Sequence, residues 1–312
     1  MAIVVGAGIT VGPGIFIGGT GGGGGGTQRA IFGYGISSGG YTAISNLVSD
    51  VGIVATDTTG VGQPRRWLAA ASYGSDKAIF GFGFGTVFTN VTNLVSNTGV
   101  VATDTAGVGT IRWSLACTAY GGDKAIFGYG SENSFYSMTN LVSSTGVVAT
   151  DTTGVGTARW GLAAVGYGSS GQAMFAFGFV LGNTLTNIKN LVSNTGVVAT
   201  DSAGVGLARR YLAAASYGSD KAIFGYGEDI TSITNLVSDT GVVASDTTGV
   251  GTARADLAAA GYGTDKAIFG FGTTGSVTSI TNLVSNTGVV ALDTTGVGTE
   301  RSGLAAAGYS LT

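Results

Sequence analysis

An eight-residue motif, ATDTTGVG at residues 55–62, returns five more times along this 312-residue chain with only small changes. Its aspartate recurs at intervals of 47, 47, 50, 45 and 47 residues, at Asp57, Asp104, Asp151, Asp201, Asp246 and Asp293. An arginine follows each aspartate by eight residues, at Arg65, Arg112, Arg159, Arg209, Arg254 and Arg301. Periods of this length are typical of structural units that stack or are arranged radially. The chain therefore consists of copies of one unit.

One unit contains four short runs that are apolar or alternate in polarity, such as LAAASY, KAIFGFG, TNLVS and GVVATDT. The residues between these runs are Gly, Asn, Asp and Ser, which tolerate tight turns. The sequence therefore predicts four antiparallel strands in each unit, without competing helical periodicity. Four strands repeated at this interval are typical of a propeller blade, whereas a β-helix needs shorter coils.

The two ends of the chain supply complementary parts of a unit. The run RAIFGYG at residues 29–35 corresponds to a second strand, and LAAAGYSLT at 304–312 corresponds to a first strand. We therefore expect an all-β fold, a six-bladed β-propeller of four-stranded antiparallel blades closed by pairing of the N- and C-terminal strands, which removes exposed edges. LAAA, the run of smallest volume, is placed innermost. The expected blades are 301–312 with 27–64, then 65–111, 112–158, 159–208, 209–253 and 254–300.

Composition excludes several classes of function. The chain has no histidine, the commonest acid–base catalyst, and its single cysteine, Cys117, excludes an internal disulfide and a cysteine-rich metal site. Charged residues make up 10% of the chain and the net charge is −3, so nucleic acid and anionic membranes are not expected partners. We expect no secretory signal, membrane insertion, metal or cofactor, and we interpret Cys117 as a small buried residue.

The repeated aspartate and arginine have a structural interpretation. Aspartate followed by Thr or Ser suits a turn in which side-chain oxygens accept backbone N–H groups. We expect repeated Asp–Arg bridges that join one blade to the next. Calcium is an alternative, although one carboxylate per loop is few for this cation. An anion held by six arginines near the mouth of the channel is another.

The predicted topology gives the propeller two different faces. Turns between strands 1 and 2 and between strands 3 and 4 are nearly constant, whereas the loops between strands 2 and 3 differ in every unit. The variable loops share their face with the connections between blades, which contain all three tryptophans. Aromatic side chains and arginine on such loops favour a recognition surface, including one on which sugars stack; the alternative is packing between blades. The candidate ligand-binding residues are Trp67, Trp113, Trp160, Tyr211, Tyr41, Phe88, Phe135, Tyr136 and Phe179, with Phe84 beside them.

Residues 1–26 form a separate glycine-rich segment. They carry no charged side chain, alternate apolar residues with glycine, and end in six consecutive glycines. A glycine run behaves as a flexible tether, and Ile/Val segments of this kind can add to the sheet of another chain. We expect an N-terminal anchoring arm that binds other subunits; a disordered tail is the alternative.

Two resemblances extend these expectations. DKAIFGFG, after a small-residue strand, resembles the second strand of kelch-type propellers, without their paired glycines and regular tryptophan. GAGITVGPGIFIGG, NLVSNTGVVATDT and LAAAGYGTDKAIFGFG are similar to segments of structural proteins in tailed bacteriophages, especially those of marine and cyanobacterial hosts. The second resemblance implies a virion component, such as a tail fibre, appendage or decoration protein, in a homo-oligomeric or multi-protein assembly.

The resulting functional hypothesis is a non-enzymatic structural and binding protein of the virion. Its arm would anchor it to other subunits, and its variable face would contact a host-surface glycan, a host protein or another subunit. A bacterial surface adhesin or lectin-like propeller remains an alternative. A glycan-degrading enzyme is a further one, because glycoside hydrolases use paired carboxylates. The carboxylates outside the repeated positions are Glu132, Glu228, Asp229 and Asp256, of which Glu228 and Asp229 share a loop.

Overall fold

A computed structural model describes residues 28–228 and 230–310. Within these ranges the chain is all-β and has no helix, and so none that could span a membrane. The predicted arm, residues 1–26, and Asp229 lie outside the described residues. The strands are β1 (Gln28–Gly33), β2 (Ile36–Ser37), β3 (Gly40–Tyr41), β4 (Ser45–Val48), β5 (Ala69–Tyr73), β6 (Lys77–Gly81), β7 (Thr92–Val95), β8 (Ala116–Tyr120), β9 (Lys124–Gly128), β10 (Thr139–Val142), β11 (Arg159–Trp160), β12 (Ala163–Tyr167), β13 (Gln172–Ala176), β14 (Phe179–Val180), β15 (Thr184–Leu185), β16 (Lys189–Val192), β17 (Ala213–Tyr217), β18 (Lys221–Gly225), β19 (Thr234–Val237), β20 (Ala258–Tyr262), β21 (Lys266–Gly270), β22 (Thr281–Val284) and β23 (Ala305–Ser310).

The same three-stranded antiparallel sheet recurs through the described chain. Its strands come from the small-residue run, from KAIFG and from TNLV, in that order across the sheet. We number the units by their sheets: unit 1 (β23, β1, β4), unit 2 (β5, β6, β7), unit 3 (β8, β9, β10), unit 4 (β12, β13, β16), unit 5 (β17, β18, β19) and unit 6 (β20, β21, β22).

The fourth strand of the prediction is not a regular strand. In unit 2 the segment after β7 pairs with it through two isolated bridges, Val95 with Val101 and Thr92 with Thr105. The two bridges differ in register by one residue, as at a β-bulge. The side chain of Asn93 lies at this break, where its amide donates to the carbonyl of Ala102 at 3.0 Å. The carbonyl of Ala102 therefore accepts from a side chain and not from the backbone of β7. Because this interrupts the backbone pairing, the fourth segment does not form a regular strand.

The first strands of the units adjoin one another in a cyclic order. β5 lies beside β8, β8 beside β12, β12 beside β17, β17 beside β20, β20 beside β23, and β23 beside β5. Their small residues permit this close approach; Cys117 takes an alanine position in β8 and, as expected, is buried, which raises the pKa of its thiol. β23 pairs with β1 from Gln28 opposite Ser310 to Gly33 opposite Ala305. The two ends of the described chain therefore share one sheet.

Neighbouring units pack through a phenylalanine placed over a glycine. The ring of Phe80 lies against Gly33 of the preceding unit, where an added Cβ would come within 2.7 Å of Cζ. Phe32 of unit 1 lies in the same way against Gly270 of unit 6, with a Cβ distance of 2.8 Å. Both phenylalanines are fully buried. A side chain on either glycine would overlap the ring unless the ring shifted. Unit 4 has Ala176 at the equivalent position, in one buried cluster with Phe224 of unit 5.

Candidate functional site

The repeated arginines are buried within the units and do not line an open channel mouth. Arg254 is representative: Nε donates to the carbonyl of Phe271 at 2.9 Å, and the two terminal nitrogens donate to the carbonyl of Thr252 at 3.0 Å and Oδ1 of Asn282 at 2.6 Å. Its guanidinium lies 4.4 Å from the ring centre of Tyr226 in the preceding unit. The arginine thus joins two units through cation–π stacking. Its donors are occupied by protein acceptors, which argues against the anion site considered from the sequence.

The repeated aspartates are held by an asparagine and by the chain just before the arginine. Oδ1 of Asp293 accepts from Nδ2 of Asn282 at 2.9 Å, and Oδ2 accepts from the hydroxyl of Thr252 at 2.5 Å. The shortest distance from the Arg254 guanidinium to this carboxylate is 4.0 Å, which is longer than a hydrogen bond. The expected Asp–Arg bridge is therefore made mainly through the asparagine, as an Arg–Asn–Asp relay inside one unit, and the arginine is linked to the aspartate that follows it in sequence. In unit 3 the pair is also direct, with Arg112 donating to Asp151 at 3.4 Å.

These contacts decide the charge state of the relay. Partial burial would raise the pKa of Asp293, but hydrogen bonds from Thr252 and Asn282 outweigh it and lower that pKa. Burial lowers the pKa of Arg112, Arg209 and Arg301 to about 10, so these side chains stay protonated at neutral pH. The carboxylate oxygens are occupied by N–H and O–H donors. Within residues 28–228 and 230–310, no three acidic or cysteine side chains come together as a metal site would require.

The asparagine of the relay was missed by the sequence analysis. It lies eleven residues before each repeated aspartate, a constant spacing that could have revealed it. Every copy is fully buried, and a buried amide is stable only when its donors and acceptor are paired. The copies are Asn46, Asn93, Asn140, Asn190, Asn235 and Asn282.

The residues two positions after each arginine form a cycle of backbone hydrogen bonds. The N–H of Ser114 donates to the carbonyl of Trp67 at 2.9 Å, and the same bond repeats from unit to unit until Trp67 donates to Gly303. All have left-handed backbone angles, with φ between 48° and 64°. In L-residues other than glycine this conformation costs about 1–2 kcal/mol. The members are Trp67, Ser114, Gly161, Tyr211, Asp256 and Gly303.

Most of the candidate ligand-binding residues meet in one aromatic cluster. Ring centroids of neighbouring members are 4.8–6.5 Å apart, and every member is half-buried. Trp113 stands at the centre, 4.8 Å from Trp67 and 5.0 Å from Trp160. The rings therefore pack between units and also remain partly exposed. The aromatic cluster consists of Tyr41, Trp67, Phe84, Phe88, Trp113, Phe135, Trp160, Phe179 and Tyr211.

Strand pairing explains why residues so far apart in sequence meet here. The connection before each first strand pairs with the start of the variable loop, as in the bridges of Arg66 with Phe84 and of Trp113 with Ser131. In unit 4 this pairing lengthens into the small sheet of β11, β14 and β15. Tyr136 is also half-buried in this region, but no ring contact joins it to the described members of the cluster.

The cluster carries two arginines and unpaired indole donors. The guanidinium of Arg66 lies 3.5 Å from the ring centre of Trp67, and that of Arg210 lies 4.2 Å from the ring centre of Phe179. The indole N–H groups of Trp113 and Trp160 are buried without a hydrogen-bond partner among the described residues. An unpaired buried donor costs about 1–3 kcal/mol. Because both nitrogens are shielded from solvent, the rings would have to shift before a bound molecule could supply an acceptor.

The carboxylates considered for catalysis have different surroundings. Glu228 forms an ion pair with Arg210 at 2.5 Å. Asp256 accepts the indole N–H of Trp67 at 3.1 Å, and burial raises the pKa of Asp256 to about 6. Glu132 accepts the backbone N–H of its neighbour Asn133 at 2.8 Å. Glu132, Glu228 and Asp256 thus each have a protein donor.

No model of a known protein family matches the chain, and no similar sequence is found among curated proteins.

Proposed function

We propose that the repeated sheets form a closed six-bladed β-propeller. Four observations support closure: the pairing of β23 with β1, the cyclic order of the first strands, the cycle of backbone hydrogen bonds, and the packing of Phe32 against unit 6. The ring of Phe32 lies 5.1 Å from that of Phe271, matching the 5.0 Å between Phe127 and Phe82 within the chain. The phenylalanine contact between units 6 and 1 therefore has the same ring distance, within 0.1 Å, as the contact between units 2 and 3.

We further propose a non-catalytic role, in which the aromatic cluster binds a saccharide on a surface. The observation that carries this proposal is the cluster itself: half-buried rings from neighbouring units, with unpaired indole donors at Trp113 and Trp160. Aromatic faces offer flat apolar area to the C–H faces of a sugar ring. The terminal nitrogens of Arg66 would donate to its oxygen atoms.

The setting that we propose is a virion, following the resemblance to phage structural proteins. In this proposal, residues 1–26 attach the protein to other subunits and the aromatic cluster faces the host. The register of β1 supports the separation of these roles. Gln28 pairs with Ser310 at one end of the sheet, whereas the cluster lies beyond the other end, where Gly33 pairs with Ala305.

Replacing Trp113 and Trp160 by alanine tests the binding role. Unit 6 has a buried alanine, Ala255, at the equivalent position. Ala255 forms a backbone bridge with Thr273, as Trp113 does with Ser131, so alanine is compatible with the backbone here. We expect the double variant to bind at least about tenfold more weakly, because aromatic anchors dominate such interfaces. A glycan array with the wild-type protein identifies the saccharide, and calorimetry then measures the affinity of each variant.

The control for this experiment is Ile223→Val, a core change in β18 that costs about 0.5–1.5 kcal/mol of stability. We expect it to bind the saccharide like wild type. If the double tryptophan variant keeps its affinity while losing several kcal/mol of stability, the cluster serves packing between units and the proposal fails.

A further inference from the structure

The cycle of left-handed residues surrounds a cavity that is open to solvent and separate from the outer parts of the aromatic cluster. Its volume is about 80 Å³, which is room for roughly five to eight water molecules or non-hydrogen atoms. Every unit contributes a member of the cycle and the leucine that follows it. The leucines are buried and form the apolar part of a lining that is mainly polar: Leu68, Leu115, Leu162, Leu212, Leu257 and Leu304.

The side chains around the cavity are present at an energetic cost. Gly161 and Gly303 show that glycine can take the left-handed conformation and make the backbone hydrogen bonds of this position. Trp67, Tyr211 and Asp256 nevertheless take left-handed angles, with φ of 54°, 57° and 51°. Strain of this kind, about 1–3 kcal/mol for each residue, persists where the side chain has a use. Large left-handed residues also occur at a second position of every unit, as at Tyr34 and Phe82, so what sets the cycle apart is that its side chains differ from unit to unit.

The polar side chains that line the cavity are those of Trp67, Ser114, Tyr211 and Asp256. Asp256 is the one charged residue among the described residues lining it, and its carboxylate accepts a single hydrogen bond there, from Trp67. The hydroxyl of Ser114 is buried, its residue being 6% exposed, and has no hydrogen-bond partner among the described residues. A carboxylate can accept several further hydrogen bonds. The cavity thus has unused capacity for a cationic donor.

The charged residues near Asp256 do not occupy its free carboxylate positions. Arg66 and Arg210 act on Asp256 electrostatically but do not line the cavity. Arg66 stacks on Trp67, and Arg210 is neutralised by its ion pair with Glu228. Burial raises the pKa of Asp256 to about 6, while the hydrogen bond from Trp67 and the field of Arg66 act in the opposite direction. Asp256 is therefore ionised at pH 7 and largely neutral at pH 5.

We propose that this cavity binds the ammonium group of a small alkylamine. The ammonium donates to the Asp256 carboxylate and the Ser114 hydroxyl, its alkyl chain packs on the leucines, and its charge lies against Trp67 and Tyr211. A free amine and a lysine side chain share this chemistry. The site does not depend on saccharide binding by the outer rings.

The test uses n-butylammonium, whose five non-hydrogen atoms suit the cavity, titrated into the full chain at pH 7 and followed by calorimetry and by the indole N–H resonance of Trp67. We expect saturable binding of one molecule per chain, and a much weaker response to the isosteres n-butanol and n-butyrate. Asp256→Asn is expected to weaken binding at least tenfold, and Ser114→Ala by a smaller factor. Nα-acetyl-lysine methylamide, tested in parallel, distinguishes a lysine side chain from a free amine as the source.

The pH profile of the wild-type protein gives a second readout that requires no folded variant. Affinity should fall between pH 7 and pH 5 with a midpoint near 6, because protonation removes the charge of Asp256. The proposal is overturned if affinity is flat over this range, if n-butanol binds as tightly as n-butylammonium, or if folded Asp256→Asn protein retains wild-type affinity.

Discussion

Replacing Arg254 by alanine is expected to lower the free energy of unfolding by about 3–5 kcal/mol. The change leaves the carbonyl of Phe271 and the side chain of Asn282, both in fully buried residues, without their donor. It also removes the donor to the carbonyl of Thr252, an exposed residue. It also removes the cation stacked on Tyr226. Urea denaturation monitored by tryptophan fluorescence measures the loss, since the slope reports whether unfolding stays cooperative.

Lys266→Ala is the matched control, because it removes a cation from the same unit at an exposed pair with Asp265. Exposed pairs contribute about 0–1 kcal/mol. Arg254→Lys should also be strongly destabilised, since one ammonium cannot reproduce the fork of the guanidinium. A loss from Arg254→Ala no larger than that from Lys266→Ala would show that the relay does not support the fold.

Replacing Phe32 by alanine is expected to cost about 3–5 kcal/mol, the range for a large aromatic side chain in a core. Phe32 is fully buried against Gly270 and Phe271, residues more than 230 positions away in sequence. Its burial depends on units 1 and 6 being neighbours. Thermal and chemical unfolding of the variant thus report on the contact between the first and last units.

Phe127→Ala provides the comparison, because Phe127 occupies the equivalent place between units 2 and 3, against Gly81 and Phe82. We expect the two variants to lose stability equally, within about 1 kcal/mol. If Phe32→Ala costs far less than Phe127→Ala, the interface between the last and first units does not form in solution.

Much of the fold follows from local patterns in the sequence. KAIFG and TNLV place buried residues between short turns, and their composition alone predicts the strands that form there. GVVATDT has the same β-branched composition, but it is irregular because the side chain of Asn93 and its equivalents takes a ladder acceptor. No strand propensity describes such a contact, since it depends on how two segments align in space.

The candidate site was predictable to a similar degree. The topology placed the tryptophans and the variable-loop phenylalanines on one face, and the described residues bring most of them into contact. The cycle of left-handed residues was not predictable, because Trp67 and Tyr211 are poor candidates for positive φ. Asp256 looked like an isolated acid, and only the packing of distant units gives it an indole partner.

Cross-linking the two ends of the described chain tests most directly whether the units close on themselves. Gln28 and Ser310 lie opposite each other in β1 and β23 and are partly exposed, so cysteines placed there in a Cys117→Ala background are within reach of a disulfide. A second variant that combines Gln28→Cys with Ser170→Cys, at the exposed corresponding turn of unit 4, serves as the control. Mild oxidation followed by peptide mapping should find a rapid intramolecular disulfide between positions 28 and 310 and none in the control; two free thiols, or links only between chains, would contradict a closed propeller.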